Sequence, residues 1–359
     1  MALPFFDNVS RKRRDQIMAV DLGGRTTKAV QLQRRGQSYV LSGYAILDAP
    51  ISDKALSADL LSEHLKTVAK ALDAKTKYVA LTLGMNDAMV RHAELPRLPV
   101  DDMRLVLKHG SRLYLQQELT NHLFDCHVLA NDPQPKPAAD AAKAAVGPPK
   151  QRVLVAGARK QLVDDYVEGA RRAGLSPEQV VPSLVCPVNT FELAVPDLFA
   201  NEVVALVDLG FKGSFISILQ QGELMLSRAV NIGGDKLTTG LAESLNISYP
   251  EAEGIKVGMP AEVQMQLESL VLPLGREFRA SIDFFEHQQD RTVSQVFITG
   301  GSSRSEPIMR TLQQELMVEC RILNPSTFLQ MDLPEQQVKD IEHVAPQLTI
   351  ALGAALAAI

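Results

Sequence analysis

Apolar and polar positions along this chain follow a pattern that occurs twice. Residues 17–24 read IMAVDLGG and residues 203–210 read VVALVDLG, each a short apolar run ending in Asp-Leu-Gly. A second strand-like run follows in each copy, over 27–33 and 214–219, and then a polar glycine turn, Arg34-Arg35-Gly36 and Gln220-Gln221-Gly222. A third run, 37–47 and 223–232, completes each unit. Short strands joined by glycine turns predict hairpins. The pattern therefore predicts two copies of a three-stranded unit, with Asp21 and Asp208 at equivalent places. Any two hairpins share some features, but here the acid and the glycine recur at the same offset. Further on, the β-branched run 293–299 predicts a strand, Pro307 opens a helical pattern that runs through Val318, and the apolar end 348–359 predicts a buried core helix.

The residues at the strand ends suggest a chemistry. Glycine tolerates positive φ and lets the backbone approach a ligand closely, and successive N–H groups in such a turn form an anion-binding concavity. Thr26, Thr27 and Lys28 follow directly with hydroxyls and an ammonium. An Asp beside phosphate is repulsive unless a hydrated Mg²⁺ lies between them, held by one or two carboxylates and the phosphates. Asp21 and Asp208 are thus the candidate metal residues, acting through water, and two such turns facing each other would clamp a polyphosphate. Gly300-Gly301-Ser302-Ser303-Arg304 joins a predicted strand to a predicted helix, a nucleotide-type turn. No G-x-x-x-x-G-K-[ST] is present, so the chain is not a P-loop hydrolase, and no G-x-G-x-x-G follows a strand.

Composition narrows the class further. The 359 residues carry 37 Lys+Arg against 42 Asp+Glu, a net charge of −5. That length suits two or three domains, and that charge argues against a chain built to hold nucleic acid. Cys126, Cys186 and Cys320 lie far apart, which excludes a disulfide framework or zinc ribbon and fits a reducing cytosol. The seven His show no H-E-x-x-H. The apolar run 348–359 has only about half the ~20 residues of a spanning helix, so no transmembrane segment is expected. Leu3, Phe5 and Phe6 precede the basic run Arg11-Lys12-Arg13-Arg14, the wrong order for a secretory signal, and the run is expected to be a solvated tail. Residues 131–150, rich in Pro and Ala, are expected to form a mobile loop.

In this order and spacing the three turns resemble those of the actin and heat-shock-chaperone ATPase superfamily. Ala19-Val20-Asp21-Leu22-Gly23-Gly24 resembles its first phosphate loop, Val207-Asp208-Leu209-Gly210 its second, and Phe297-Ile298-Thr299-Gly300-Gly301-Ser302-Ser303-Arg304 its adenosine loop. Ala252-Glu253-Gly254-Ile255-Lys256 resembles the ribose-contacting A-E-x-I-K stretch of FtsA. The same Glu253 and Lys256 can also be read as an i,i+3 ion pair worth tenths of a kcal/mol. Within the superfamily, residues from about 17 to 359 resemble the PilM family of type IV pilus assembly. The stretches that carry this are Glu94-Leu95-Pro96-Arg97-Leu98-Pro99 with an amphipathic helix over 101–119, the strand 153–158 with a helix over 161–174, and Ile232-Gly233-Gly234-Asp235-Lys236-Leu237-Thr238.

The resemblance implies an α/β, actin-like (ribonuclease H-like) two-lobed fold, with duplicated mixed sheets around a nucleotide cleft. It implies ATP and Mg²⁺ as ligands, with Asp21 and Asp208 holding the hydrated metal. Gly23, Gly24, Arg25, Thr26 and Lys28 would bind phosphates from one side, and Gly210, Lys212 and Gly213 from the other. Gly233, Gly234, Glu253 and Lys256 would border the ribose. Gly300, Gly301, Ser302 and Arg304 would border the adenine, with the guanidinium stacked on the ring. Asp208 is the best candidate for a catalytic role. Two departures imply at most slow hydrolysis: Pro182 stands where an acid is usual, and Phe211-Lys212 where small hydroxyl residues are usual.

The implied organisation is a tail at 1–16, subdomain 1A over 17–90, 178–202 and 333–359, and an inserted subdomain 1C over 91–177. Subdomain 2A would cover 203–243 and 290–332, and 2B would cover 244–289. The implied function is a cytoplasmic component at the inner face of the inner membrane. It would bind the cytoplasmic N-terminal tail of a PilN-type inner-membrane protein and link that platform to pilus motor ATPases, associating with the membrane through its partner. The groove for that tail would lie between 1A and 1C, with Met103, Val106, Leu107, Leu113 and Leu115 forming its floor or the subdomain core. The alternatives are an active ATPase or small-molecule kinase, an FtsA-like filament-forming adaptor, and the cytoplasmic part of a type II secretion platform.

Overall fold

The structure, a computed structural model, describes residues 14–50, 56–129 and 149–359. Most of the basic run and residues 131–148 of the expected loop lie outside these. The first hairpin unit is β1 (Gln16–Leu22), β2 (Thr26–Arg35) and β3 (Ser38–Asp48), paired antiparallel with Asp21 opposite Lys28. Helix α1 (Ala58–Ala71), capped by the Ser57 hydroxyl, leads to β4 (Tyr78–Leu83), parallel to β1. The chain then leaves this sheet. β5 (Ala88–Pro96), β6 (His122–Val128) and β7 (Lys150–Arg159) form a separate antiparallel sheet covered by α2 (Val100–Leu115). Helix α3 (Lys160–Arg172) returns it to β8 (Ser176–Pro182), and α4 (Cys186–Ala194) and α5 (Pro196–Asn201) follow.

The second unit repeats the first. β9 (Val203–Leu209), β10 (Ser214–Gln220) and β11 (Glu223–Val230) form the meander. Helices α6 (Gly234–Leu245), α7 (Tyr249–Gly258) and α8 (Gln264–Gln289) precede β12 (Gln295–Thr299), and α9 (Glu306–Leu316) precedes β13 (Cys320–Ile322). β14 (Leu329–Met331) then crosses back to β3, and α10 (Glu335–Ala358) ends the chain. The strand orders are β14-β3-β2-β1-β4-β8 and β11-β10-β9-β12-β13. Without β14 the two sheets are the same arrangement, with the Asp-bearing strands β1 and β9 at equivalent central positions. Both strands are buried on both faces, as central strands between parallel and antiparallel neighbours must be.

Several expectations are corrected. Helix α3 does not belong with the inserted sheet. Its face of Leu162, Val163, Tyr166 and Ala170 joins the core of the first sheet, and Gly169 abuts Leu61 of α1. β14 returns the chain to the first sheet before residue 333, because its backbone pairs with the open edge of β3. Arg14, the last residue of the expected solvated run, is tied to the fold while still partly exposed: its guanidinium meets Glu178 at 3.1 Å and lies 3.9 Å above the Tyr78 ring. In α2 the helix stops at Leu115, where Gln116 turns left-handed at φ 55° and the Ser111 hydroxyl accepts from Leu119 N. Met103, Leu107 and Leu115 are core, whereas Leu113 is exposed. Helix α10 extends to 24 residues and, among the described residues, is the one helix long and apolar enough by composition to cross a membrane. In the fold 67% of that window is buried, against β1, β2, β4 and α4.

Candidate functional site

Asp21 and Asp208 open into one cavity of about 270 Å³, together with Gly23, Lys28, Ser183 and Gly213. Asp21 ends β1 and accepts a hydrogen bond from Thr82 of β4 at 3.0 Å. Lys28, its register partner, folds back to bring Nζ within 3.4 Å of the Asp21 carboxylate. Gly23 is required by that fold-back, because a Cβ there would meet Thr26 O at 2.6 Å and Lys28 Nζ at 2.8 Å. In the second unit the residue opposite Asp208 is Phe215, so one lysine serves two buried carboxylates. Burial, then the charge of Asp21, pushes the Asp208 carboxyl up to about 7, against the pull of Lys28.

This surplus of negative charge in a buried site fits a divalent cation. Among the described residues no group of three or more His, Cys, Asp or Glu could hold a metal. A cation here would therefore complete its shell with water and phosphate, as Mg²⁺ does. Below pH 7 the Asp208 carboxyl is mostly neutral and loses its attraction for the cation. If the site takes a magnesium nucleotide, its affinity is thus expected to be about tenfold weaker at pH 6 than at pH 8. Equal affinities by calorimetry would leave Asp208 out of the site.

A second cavity of about 380 Å³ adjoins the first, and Lys28, Gly210 and Phe211 line both. Its polar end holds Arg25, Thr26, Gly234, Glu253 and Lys256, and its apolar wall holds Val257, Pro260 and Ile308 beside Gly301, Ser302 and Arg304. Helix α7 starts with a reciprocal cap between Ser248 and Glu251, which presents Glu253 and Lys256 one turn later. Lys256 Nζ donates to Gly234 O at 3.1 Å and Thr238 Oγ1 at 2.6 Å, and pairs with Glu253 at 2.7 Å. The ion-pair reading of Glu253 and Lys256 and the cavity-lining reading therefore both hold. Across the cleft Arg25 reaches Glu253 at 2.5 Å. Burial, which would raise Glu253, is outweighed by hydrogen bonds from Lys256 and Thr238 and by nearby positive charge, so its carboxyl titrates below the usual range. Burial lowers the Lys256 ammonium despite Glu253. The Arg304 guanidinium at the rim donates to Glu342 O at 2.6 Å. That carbonyl lacks its helical partner because Pro346, four residues on, has no N–H.

Some expected residues are scaffolding rather than lining. Gly233 lies under the second turn, where a Cβ would come within 2.4 Å of Phe211 O, and it does not border the cavity. Gly300 adopts φ +92°, and a Cβ there would strike the Leu209 backbone at 2.6 Å, so it supports the turn from below and does not line the cavity. The Lys212 ammonium, expected to meet phosphate, pairs with Asp235 at 3.0 Å at an exposed position on the rim of the carboxylate cavity. The N–H groups of Gly234 and Asp235 at the start of α6 donate to Gly210 O and Phe211 O, so the second turn already uses them. Sequence reasoning missed Thr82, a buried hydroxyl in an otherwise apolar strand, and Ser183, which follows Pro182 into the carboxylate cavity. A polar residue inside the run Tyr78–Leu83 was the available signal for the first.

Comparison with known proteins places this architecture. The family described as type IV pilus assembly protein PilM matches residues 19–359. A solved PilM-PilN type IV pilus biogenesis complex superposes with a TM-score of 0.80 at 20% identity, covering 96% of this chain and 98% of that one. Ethanolamine utilization protein EutJ from Carboxydothermus hydrogenoformans superposes with a TM-score of 0.54 at 15% identity, covering 97% and 92%. The cell division protein FtsA of Bacillus subtilis (strain 168) is 21% identical over 263 residues, 67% of this chain but only 57% of that protein. The fold is the actin-like, two-lobed α/β architecture, and the chain belongs to the PilM family of type IV pilus assembly proteins.

Proposed function

We propose that the cleft binds Mg-ATP, and that the protein works as an adaptor at the inner face of the cytoplasmic membrane. It takes the cytoplasmic N-terminal tail of a PilN-type inner-membrane protein and links that platform to the pilus motor. One observation carries the nucleotide reading: the two carboxylates at equivalent places in the duplicated units face one cavity beside a lysine. Bound Mg²⁺ would supply charge neutralisation for phosphate, and Asp21 and Asp208 would hold its waters. Arg25, Thr26 and Lys28 on one side and Gly210 on the other would bind the phosphates. Glu253, Lys256 and Gly234 would border the sugar, and Gly301, Ser302 and Arg304 the base. Asp21→Ala is expected to weaken Mg-ATP binding at least ~30-fold, about 2 kcal/mol. Calorimetry that finds unchanged affinity in this variant defeats the assignment.

The adaptor reading is supported by how the second turn meets the inserted sheet. Gly213 lies against Met85, so close that a Cβ there would stand 2.3 Å from Cε, and Asn86 donates to Asn231 at 3.3 Å. Met85 and Asn86 lead directly into β5, so a change at the phosphate turn reaches the inserted sheet through packed atoms. The solved PilM-PilN complex has this fold. We place the docking groove between the first sheet and the β5-β7-β6 unit. A synthetic PilN-type tail is expected to bind at micromolar concentration and to change affinity on addition of Mg-ATP. No binding at high micromolar concentration counts against it. Turnover is expected to be slow, on the order of 10⁻³ s⁻¹, the scale of a GTPase working without its activating partner. Pro182 ends β8 and Ser183, not an acid, enters the carboxylate cavity.

A further inference from the structure

The two chambers of the cleft share three residues, Lys28, Gly210 and Phe211. Gly210 has no side chain, and Lys28 turns back to Asp21. The partition between them is therefore the Phe211 ring. A Cβ on Gly24 of the first lobe would lie 3.6 Å from its Cδ1, and one on Gly234 of the second lobe 3.7 Å from its Cδ2. The ring thus bridges the gap between the two phosphate turns. The Arg25 guanidinium lies 5.7 Å from the ring centroid and the Lys212 ammonium 5.3 Å. Its backbone is held too, because Phe211 O accepts from Asp235 N at 3.0 Å.

A nucleotide seated with its base against Val257, Pro260 and Ile308 must run its phosphate chain past this ring to reach Asp21 and Asp208. An aromatic ring gives a phosphate no hydrogen bond and strips its water on that side, a cost that counts against whatever Arg25, Thr26 and Lys28 return. Resting on the nucleotide reading above, we infer that Phe211 sets which phosphate chain the cleft distinguishes. With the ring in place the outer chamber takes a nucleoside diphosphate about as well as a triphosphate. Either nucleotide would reach the cation over Asp21 and Asp208 through its diphosphate part, and the terminal phosphate of a triphosphate finds room only when the ring turns out of the gap.

The test is calorimetry of ATP and ADP, each with Mg²⁺, on the intact protein, Phe211→Ala and Phe211→Leu, with thermal midpoints to verify folding. The native protein is expected to bind the two nucleotides within about threefold of each other. Phe211→Ala is expected to gain about tenfold or more for ATP and less than about threefold for ADP. Phe211→Leu retains the bulk and is expected to stay near the native ratio, which separates an open path from mere loss of the aromatic contact to Arg25. An ATP-to-ADP ratio equal in all three proteins, or a native protein that already prefers ATP more than about tenfold, overturns the inference while leaving the nucleotide site standing. Absence of binding by the native protein at millimolar nucleotide overturns the nucleotide reading itself, and the role of Phe211 with it.

Discussion

Replacing Asp208 by Asn is expected to raise the thermal midpoint of the unliganded protein at pH 8, and to remove the stabilisation expected from Mg-ATP under the proposed function. The carboxyl titrates at about 7 in the fold, because of burial and of Asp21, against an ordinary value of 3.8. A folded-state value raised in this way means that the fold holds the proton more tightly than the unfolded chain does. Its contribution to stability is complete below about pH 4 and is lost as the pH rises through 7. At pH 8 the buried carboxylate therefore costs the unliganded fold on the order of 4 kcal/mol. An Asn of the same shape avoids most of that cost. The native protein recovers part of that cost when a magnesium nucleotide binds as proposed, gaining about 2.7 kcal/mol once ligand stands at a hundred times its dissociation constant. The variant has little to gain. Below about pH 4 the carboxyl is protonated in both the folded and unfolded chain, and there the two proteins should melt together. A variant less stable than native at pH 8 would mean that Asp208 serves the fold and not a ligand.

The duplicated meander was legible because it rests on local chemistry: strand, acid, glycine turn, strand. The offset of Asp21 and Asp208 survives in the register, Asp21 opposite Lys28 and Asp208 opposite Phe215. The glycines were harder to interpret, since close approach to a ligand and close approach to the protein's own backbone select the same residue. Gly233 and Gly300 look in sequence like glycines that border a ribose and an adenine, and in the fold they pack against the protein's own turns. Contacts between distant segments left no local signal. Nothing near Arg25 announces Glu253, and nothing near Arg304 announces the carbonyl freed by Pro346. The apolar face of α3 was visible as a pattern, but its partner α1 was not. A stripe of Leu162, Val163, Tyr166 and Ala170 fits any apolar surface.

The same ambiguity of glycine makes Gly353→Ala the more damaging prediction. Gly353 lies inside α10, where helix propensity alone would make Ala the better residue by about 1 kcal/mol. Packing opposes that. A Cβ on Gly353 would stand 1.9 Å from Cys186 O and 2.5 Å from its carbonyl carbon, both backbone atoms at the start of α4. No rotamer change can relieve such a contact, so the two helices must separate. Their seam is also bonded closely: Asn189 Nδ2 donates to Gly353 O at 3.0 Å, and Thr190 Oγ1 to Thr349 O at 2.9 Å. Thr299 at the end of β12 donates to Pro346 O at 2.6 Å, which ties the second sheet to the same helix just before the Gly300 turn. Separation of α4 from α10 therefore strains the floor of the cleft as well as the core. A loss of about 3–5 kcal/mol is expected, read from the denaturant midpoint. Gly254 in α7 supplies the contrast, because a Cβ there meets nothing within 4 Å. Gly254→Ala should gain about 0.5–1 kcal/mol from propensity alone. Equal and positive shifts at both glycines would show that helix propensity, and not the α4–α10 seam, governs α10.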